Sequence, residues 1–369
     1  MNQLKSIKET LLMGPGPSSV FTEVYQAMAT PTIGHLDPKF IEIMDEIKTF
    51  LQQLLRTDNR LTIPISGTGS AGMETSFVNI VEQGDDVLIL KNGVFGMRME
   101  DVASRLGANV DTLEFEWGTA VDPEAVKNQL AKKDYKLVAI VHAETSTGVC
   151  NPVEAVAELL KGNDALYLID MVTSLGGIPV ETDTWGADIV YSGTQKCLSC
   201  PPGLAPITFS ERAVNKTMNR KSKVPNWYLD LSMIVNYWEG NTRAYHHTAP
   251  INMLYGLYQS LYNILSEGQE TVFERHQQCH LSLVEYLESK GFEMLVAPEY
   301  RLPMLNSVKI PDGVDEAAVR QKLLEAYQIE IGAGLGPLAG KIWRIGVMGH
   351  TARLENIKRL TDALDSILA

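Results

Sequence analysis

Between residues 37 and 210 the chain alternates between a 3.6-residue apolar period and short continuous apolar runs. Asp37-Pro38 has the form of an N-cap followed by a first-turn proline. Phe40, Ile43, Met44, Ile47, Leu51 and Leu54 then recur at three- and four-residue spacing, which predicts an amphipathic helix. The run Leu61–Ser66 predicts a buried strand, followed by a helix from about Ser70 to Val81 and a strand over Val87–Leu90. A helix near Phe95–Leu106, a strand near Val110–Phe115, a second capped helix from Asp122-Pro123 to about Leu130 and a strand over Leu137–His142 continue the series. Asn151-Pro152 opens a helix to about Lys161, and the apolar runs Ala165–Ile169 and Ala187–Tyr191 close it. Such alternation predicts an α/β fold, a mostly parallel sheet with helices on both faces.

After Arg243 the pattern changes. Helical periodicity runs over about Pro250–Leu265 and Glu270–Lys290, and short strands are expected at Asn306–Ile310, Ile329–Ala333 and Trp343–Val347. Helices at Asp315–Ala326 and Arg353–Leu368 separate them. A chain of 369 residues exceeds the size at which single cores stop growing. We therefore expect an N-terminal arm over residues 1–15, a large domain over 16–267 and a smaller α+β domain over 268–369.

Composition narrows the function. No apolar run reaches membrane-spanning length, so no membrane partner is expected. A formal charge of −13 disfavours nucleic acid, whose phosphates need clustered Lys and Arg. The first residues show no secretory h-region and no Arg-rich transit bias, and the expected location is cytoplasmic. Cys197 and Cys200 have CxxC spacing, but no second pair or His cluster completes a zinc site and Pro201-Pro202 follows at once. We expect buried thiols there and no metal.

The chemistry is expected at strand ends, where an open α/β sheet places its ligands. Lys196 follows the strand ending at Tyr191, through Ser192-Gly193-Thr194-Gln195, and Asp170 ends the strand before it. An amine and a carboxylate so placed suit a cofactor with an aldehyde and a basic ring nitrogen, which pyridoxal phosphate combines. Asp170 would hold the ring nitrogen protonated, Val172 would back one ring face, and Lys196 would act at the substrate α-carbon. Gly67-Thr68-Gly69-Ser70-Ala71-Gly72 matches the dinucleotide fingerprint GxGxxG. That reading wants an acid after the next strand, and Lys91-Asn92-Gly93 has none, so a phosphate monoester on the helix N-terminus is the better fit.

Other residues keep two readings. Phe95 is either core or a stacking platform. Thr145 and Ser146 either cap the next helix or donate to the ligand, and His142 reads as a hydrogen-bonded supporting residue rather than a base. In Tyr245-His246-His247-Thr248 the adjacent histidines point apart in an extended segment, which disfavours chelation; the hydroxyls are candidate phosphate donors. Arg344, between Trp343 and Ile345, is either a structural ion pair or a carboxylate clamp.

Taken in order, Met13–Pro17, Ser66–Ser70, Asn92–Gly96, Glu144–Val149, Asp170, Tyr191–Lys196, Pro201–Gly203, Tyr245–Thr248, Gly334–Pro337 and Arg344–Gly346 resemble a class V, fold-type I aminotransferase of the alanine–glyoxylate and serine–glyoxylate group. The resemblance implies a seven-stranded, mostly parallel sheet and a pyridoxal 5'-phosphate cofactor held as a Schiff base by Lys196. It implies Asp170 on the pyridine nitrogen, Phe95 on the ring where many members carry tryptophan, and Ser146 near the ring hydroxyl. Thr68, Gly69, Ser70 and Gln195 would hold the phosphate, and Tyr245 and Thr248 would reach the cofactor of the other subunit in a homodimer. Arg344 would clamp the substrate α-carboxylate, with the N-terminal stretch near Gly14 lying over the site. The implied reaction is ping-pong transfer of an amino group from alanine or serine to glyoxylate. The same scaffold also serves ureidoglycine–glyoxylate and pyridoxamine–pyruvate pairs. An NAD-linked oxidoreductase using Gly67–Gly72 is the reading from another class. Ser70 stands where some relatives have histidine, and the C-terminal residues are not a peroxisomal address.

Overall fold

The computed structural model describes residues 3–240 and 242–368. Met1 and Asn2, where the expected arm begins, and Ala369, where the expected small domain ends, lie outside the described residues, as does Asn241.

Seven strands form the main sheet: β1 (Leu61–Ser66), β2 (Asp86–Lys91), β3 (Asn109–Glu114), β4 (Leu137–Val141), β5 (Leu166–Asp170), β6 (Ile189–Tyr191) and β7 (Leu204–Phe209), in the order β1-β7-β6-β5-β4-β2-β3. Only β7 runs antiparallel to its neighbours, so the other six end on the same edge. The expected helices lie between them: α1 (Pro38–Leu55), α2 (Gly69–Val78), α3 (Val94–Arg105), α4 (Pro123–Leu130) and α5 (Val153–Leu160). Asp37 accepts from Lys39 N at 2.8 Å and Asp122 from Glu124 N at 3.0 Å, the caps their Asp-Pro pairs predict. Asn151 does not cap α5. Its buried amide donates to Val141 O (2.7 Å) and accepts from Asn92 Nδ2 (2.8 Å), clasping the ends of β4 and β2.

Strand β7 carries no separate prediction, and proline is the reason. Pro206 interrupts the run and sits opposite Pro64 of β1. Its carbonyl still accepts from Ser192 N at 2.7 Å, so only the return donation is lost, and β1 itself lies at the sheet edge.

Helix α6 (Ile251–Glu267) packs against α1 within the main-sheet core, whereas the second layered unit sets α7 (Gln269–Ser289), α8 (Glu316–Tyr327) and α9 (Leu354–Leu368) beside strands β8 (Leu305–Lys309), β9 (Gly332–Ala333) and β10 (Ile342–Gly346). The single strand expected over Ile329–Ala333 is split. Gly332–Ala333 pairs with β10, whereas Ile329–Glu330 pairs in parallel with Leu11–Leu12 of the N-terminal segment. Leu11 and Met13 thereby bury in the same core cluster as Trp343, Ile345 and Leu360, apart from the larger cluster around the main sheet. Among the described residues no helix is long and apolar enough to cross a membrane.

Gly346 marks where the segment docks. Its N–H donates to Met13 O at 2.7 Å, and a Cβ there would collide with the Gly14 carbonyl. Gly346→Ala should cost about 1–3 kcal/mol through overpacking. Chemical denaturation at unchanged slope is the check, and an unaltered midpoint would show that the segment moves aside freely.

Candidate active site

The C-terminal strand ends converge on a cavity of about 160 Å³. From β1, Thr68, Gly69 and Ser70 line it; from β2, Phe95; from β5, Asp170 and Val172; from β6, Gln195 and Lys196. All eight were expected there. Sequence places them up to 128 residues apart, and the shared direction of the parallel strands brings them together.

Thr68 occupies the N-cap position of α2 with no side-chain capping bond, so its hydroxyl and that of Ser70 are free beside the orphan amides of the first turn. Gly67 has φ +159°, and a Cβ there would lie 2.6 Å from Ala71 Cβ; the tight turn requires glycine. Gln195 Oε1 is buried without a hydrogen-bond partner. Hydroxyls, amides and a helix N-terminus together form a donor set suited to a phosphate monoester.

Asp170 is buried. Its Oδ1 accepts from Val172 N (2.8 Å) and its Oδ2 from the Tyr191 hydroxyl (2.7 Å). Burial pushes its carboxyl up to about 7, against those two bonds. A cationic ring nitrogen beside it would restore the charged form. Lys196 is buried as well, and its Nζ donates to Pro15 O of the N-terminal segment. Burial first, then the Arg344 charge, lower its pKa to about 8, which favours the neutral amine that nucleophilic work requires. Ser18 Oγ donates to Lys196 O (2.7 Å), so the same segment also holds the lysine backbone.

Arg344 lies behind the cavity on β10. Its Nε donates to Ala333 O (2.7 Å) and its Nη1 to Thr145 O (3.1 Å). Among the described residues no carboxylate within 4 Å pairs with it, which removes the structural ion-pair reading. Burial lowers its pKa to about 10, against the nearby charge of Glu144, so it stays cationic with no carboxylate in contact among the described residues.

Five expected residues are not part of the cavity wall. Arg344 and Gly14 flank it, Gly14 being next to the Pro15 carbonyl. Ser146 Oγ is turned away, donating to Glu144 Oε1 (2.6 Å) and accepting from Val94 N (3.0 Å). Tyr245 and Thr248 are exposed, touch each other at 3.3 Å and do not line this chain's own cavity. Between them, His247 Nε2 meets Ser66 Oγ at 2.7 Å. The His142 side chain shows no hydrogen bond of the kind expected: its buried Nδ1 has no partner, and its ring stands edge-on to Trp185 at 5.2 Å. Cys197 and Cys200 are buried free thiols.

Three residues had no individual role in the sequence reading. Tyr191 pairs in register with Asp170 across β6 and β5, and an aromatic hydroxyl ending a buried strand was the available signal. Arg98 lines the cavity with its guanidinium 4.9 Å above the Phe95 ring. Glu144, fully buried, lies three residues past the end of β4; an acid just beyond an apolar strand was the signal there.

A neutralisable buried lysine and a buried carboxylate at the C-terminal edge of a mostly parallel sheet, beside an anion cradle, define a fold-type I transferase. Residues 18–358 match the family model described as aminotransferase class-V. The chain belongs to the class-V aminotransferases and is an aminotransferase. A solved alanine–glyoxylate aminotransferase from Nostoc sp. is 46% identical, with a TM-score of 0.95 and full coverage of both chains. The (S)-ureidoglycine–glyoxylate transaminase of Bacillus subtilis is 40% identical over 375 residues, covering 97% of this chain and 90% of that protein. The alanine–glyoxylate aminotransferase of Mus musculus is 38% identical over 366 residues, covering 98% and 88%. The oxidoreductase reading of Gly67–Gly72 is set aside: the loop opens onto Lys196 and Asp170, not onto an acid placed for a ribose.

Proposed function

We propose that the enzyme binds pyridoxal 5'-phosphate between Asp170 and Lys196 and transfers the amino group of a small L-amino acid, alanine or serine, to glyoxylate by a ping-pong route. The observation that carries this reading is the sharing of one cavity by the buried Lys196 amine, the buried Asp170 carboxylate and the Thr68–Ser70 cradle. When bound, the cofactor supplies an aldehyde that condenses with amines and a cationic ring that accepts electrons from the substrate α-carbon.

The protein's own groups do the rest. Thr68, Gly69, Ser70 and Gln195 bind the phosphate. Phe95 and Val172 would flank the ring, and Ser146, bonded to Glu144 and to the Val94 amide, would support the loop that carries Phe95. Asp170 keeps the ring nitrogen protonated, with Tyr191 donating to its other oxygen. Lys196, released from its covalent role, moves a proton at the α-carbon as general base and acid. Arg344 offers the free side of its fork to the α-carboxylate of donor and acceptor in turn, and Gly14 contributes backbone beside it. The 40% identity to the ureidoglycine enzyme favours (S)-ureidoglycine as the alternative donor; a pyridoxamine–pyruvate pair is the remaining variant.

The reading extends to assembly and location. Exposed Tyr245 and Thr248 are proposed to reach the partner's phosphate in a homodimer. The arm over 1–15 and the 267/268 boundary are proposed as the domain division; separate cores around the main sheet and around Leu283, Trp343 and Leu360 support the second cut, while Leu11 and Met13 of the arm pack into the latter core. Four unpaired cysteines support a reducing compartment such as the cytoplasm.

The test is a visible absorbance spectrum of the purified enzyme, followed by single additions of L-alanine, L-serine, (S)-ureidoglycine and pyridoxamine, with glyoxylate or pyruvate as acceptor. Bleaching by alanine or serine is expected; no response to either, with response to another donor, moves the assignment there. Arg344→Gln should raise KM for both donor and acceptor, since losing one side of a buried ion contact costs roughly 2–5 kcal/mol, a factor of about 30 to several thousand. A KM that stays within twofold would remove Arg344 from the substrate site.

A further inference from the structure

Among the described residues, Glu144 is a buried acid beside the cavity that the roles above leave without a purpose of its own. Helix α3 begins after Gly93, which has no side chain to cap it. The orphan amides of its first turn are satisfied from the loop after β4 instead. Ser146 Oγ accepts from Val94 N (3.0 Å), and Glu144 Oε2 accepts from Phe95 N (3.2 Å). The Gly96 amide also bonds the Glu144 carboxylate. Glu144 Oε1 in turn accepts from Ser146 N (3.0 Å) and Ser146 Oγ (2.6 Å). Gly93 makes this possible, because a Cβ there would collide with the Glu144 carboxyl and Ser146 Oγ.

We infer that Glu144 is a positioning residue for transamination, holding the Phe95 ring at the height where it stacks on the cofactor. The inference rests on the proposed binding of pyridoxal phosphate in this cavity. Its carboxyl group is committed to backbone and Ser146 donors and does not line the cavity, so it is not placed to exchange a proton with substrate. Phe95 is only partly buried, with Arg98 above one face, so surrounding packing does not by itself define where the ring sits. The backbone clamp does. A carboxylate suits that place also because the helix N-terminus is the positive end of its dipole.

A double-mutant cycle on the holoenzyme tests this. Glu144→Gln keeps the length but turns an amide N–H₂ towards backbone donors. Its apparent dissociation constant for pyridoxal phosphate should rise about tenfold, within the range of a lost helix cap. In the Phe95→Ala background the same change should cost less than about twofold, because the ring it positions is gone. The visible circular dichroism of the bound cofactor should weaken in Glu144→Gln, reporting a displaced ring environment. Ser146→Ala, a milder cut in the same clamp, should show about a threefold loss with the same non-additivity, and it carries the cycle should Glu144→Gln not fold. Equal losses in both backgrounds, or an unchanged dissociation constant in Glu144→Gln or, if that variant does not fold, in Ser146→Ala, would overturn the inference. A wild-type enzyme that binds no pyridoxal phosphate at all would overturn the functional reading first, and that result is distinct from an additive cycle in a binding-competent enzyme.

Discussion

Lys196→Ala should abolish transamination, with turnover reduced at least about a thousandfold, because the proposed covalent anchor and proton carrier at the α-carbon would be removed together. Borohydride treatment of the wild-type holoenzyme followed by peptide mapping should label Lys196, and the variant should show no label anywhere. Loss of fold would not explain such a result. The buried amine has a pKa lowered from 10.5 to about 8, so as a cation it disfavours folding. That penalty is fully present below pH 8 and fades as pH rises towards 10.5, where the unfolded lysine also loses its proton. Removing the amine should therefore leave the apoprotein at least as stable as wild type at neutral pH, apart from the space vacated, as denaturation of the two proteins would show. The same shift predicts that cofactor loading of wild type accelerates with pH up to about 8 and then levels, since only the neutral amine attacks. Retained turnover, or a label on another lysine, would end the assignment.

Asp170→Asn should be the second most damaging change. A charge-assisted bond to the ring nitrogen is worth about 1.5–3 kcal/mol, or roughly 10- to 150-fold, and losing the ring's positive charge lowers its capacity to accept electrons further. We expect kcat to fall a hundredfold or more, with donor KM changed far less, because in the proposed site Asp170 would act on the ring and not on the substrate carboxylate assigned to Arg344. A cofactor methylated at the ring nitrogen carries a permanent charge and should recover part of the lost rate in the variant while giving the wild type no advantage. Steady-state kinetics with both cofactors is the measurement; a variant that keeps wild-type kcat would place the ring elsewhere. Tyr191→Phe should act in the same direction but weakly, since it removes one neutral donor at 2.7 Å.

Much of this architecture is legible in local pattern. The capped starts at Asp37-Pro38 and Asp122-Pro123 and the apolar runs of β1, β2, β4, β5 and β6 announce alternation, and alternation implies parallel strands with a common functional edge. Once that edge exists, Gly67–Ser70, Asp170 and Lys196 must meet there. The misses share a cause: each depends on a partner distant in sequence. Pro206 looks incompatible with a strand until its carbonyl is paired with Ser192, and Ile329–Ala333 looks continuous until Leu11–Leu12 takes its first half. The Ser146 hydroxyl, read as a ligand donor or a local cap, is drawn to Glu144 and to the Val94 amide 52 residues away.

The order of residue types along the chain was enough to determine a strand-end lysine, a strand-end aspartate and a glycine-rich loop opening a helix, because periodicity and strand termini are local properties of a chain. Their protonation tendencies and mutual orientation were decided only by folding. Burial moves Lys196 down and Asp170 up, the Pro15 carbonyl receives the amine, and Arg344 is left cationic with no carboxylate partner. These are effects of desolvation and of contacts between distant segments, and such effects exist only when the segments have been brought into one water-poor space.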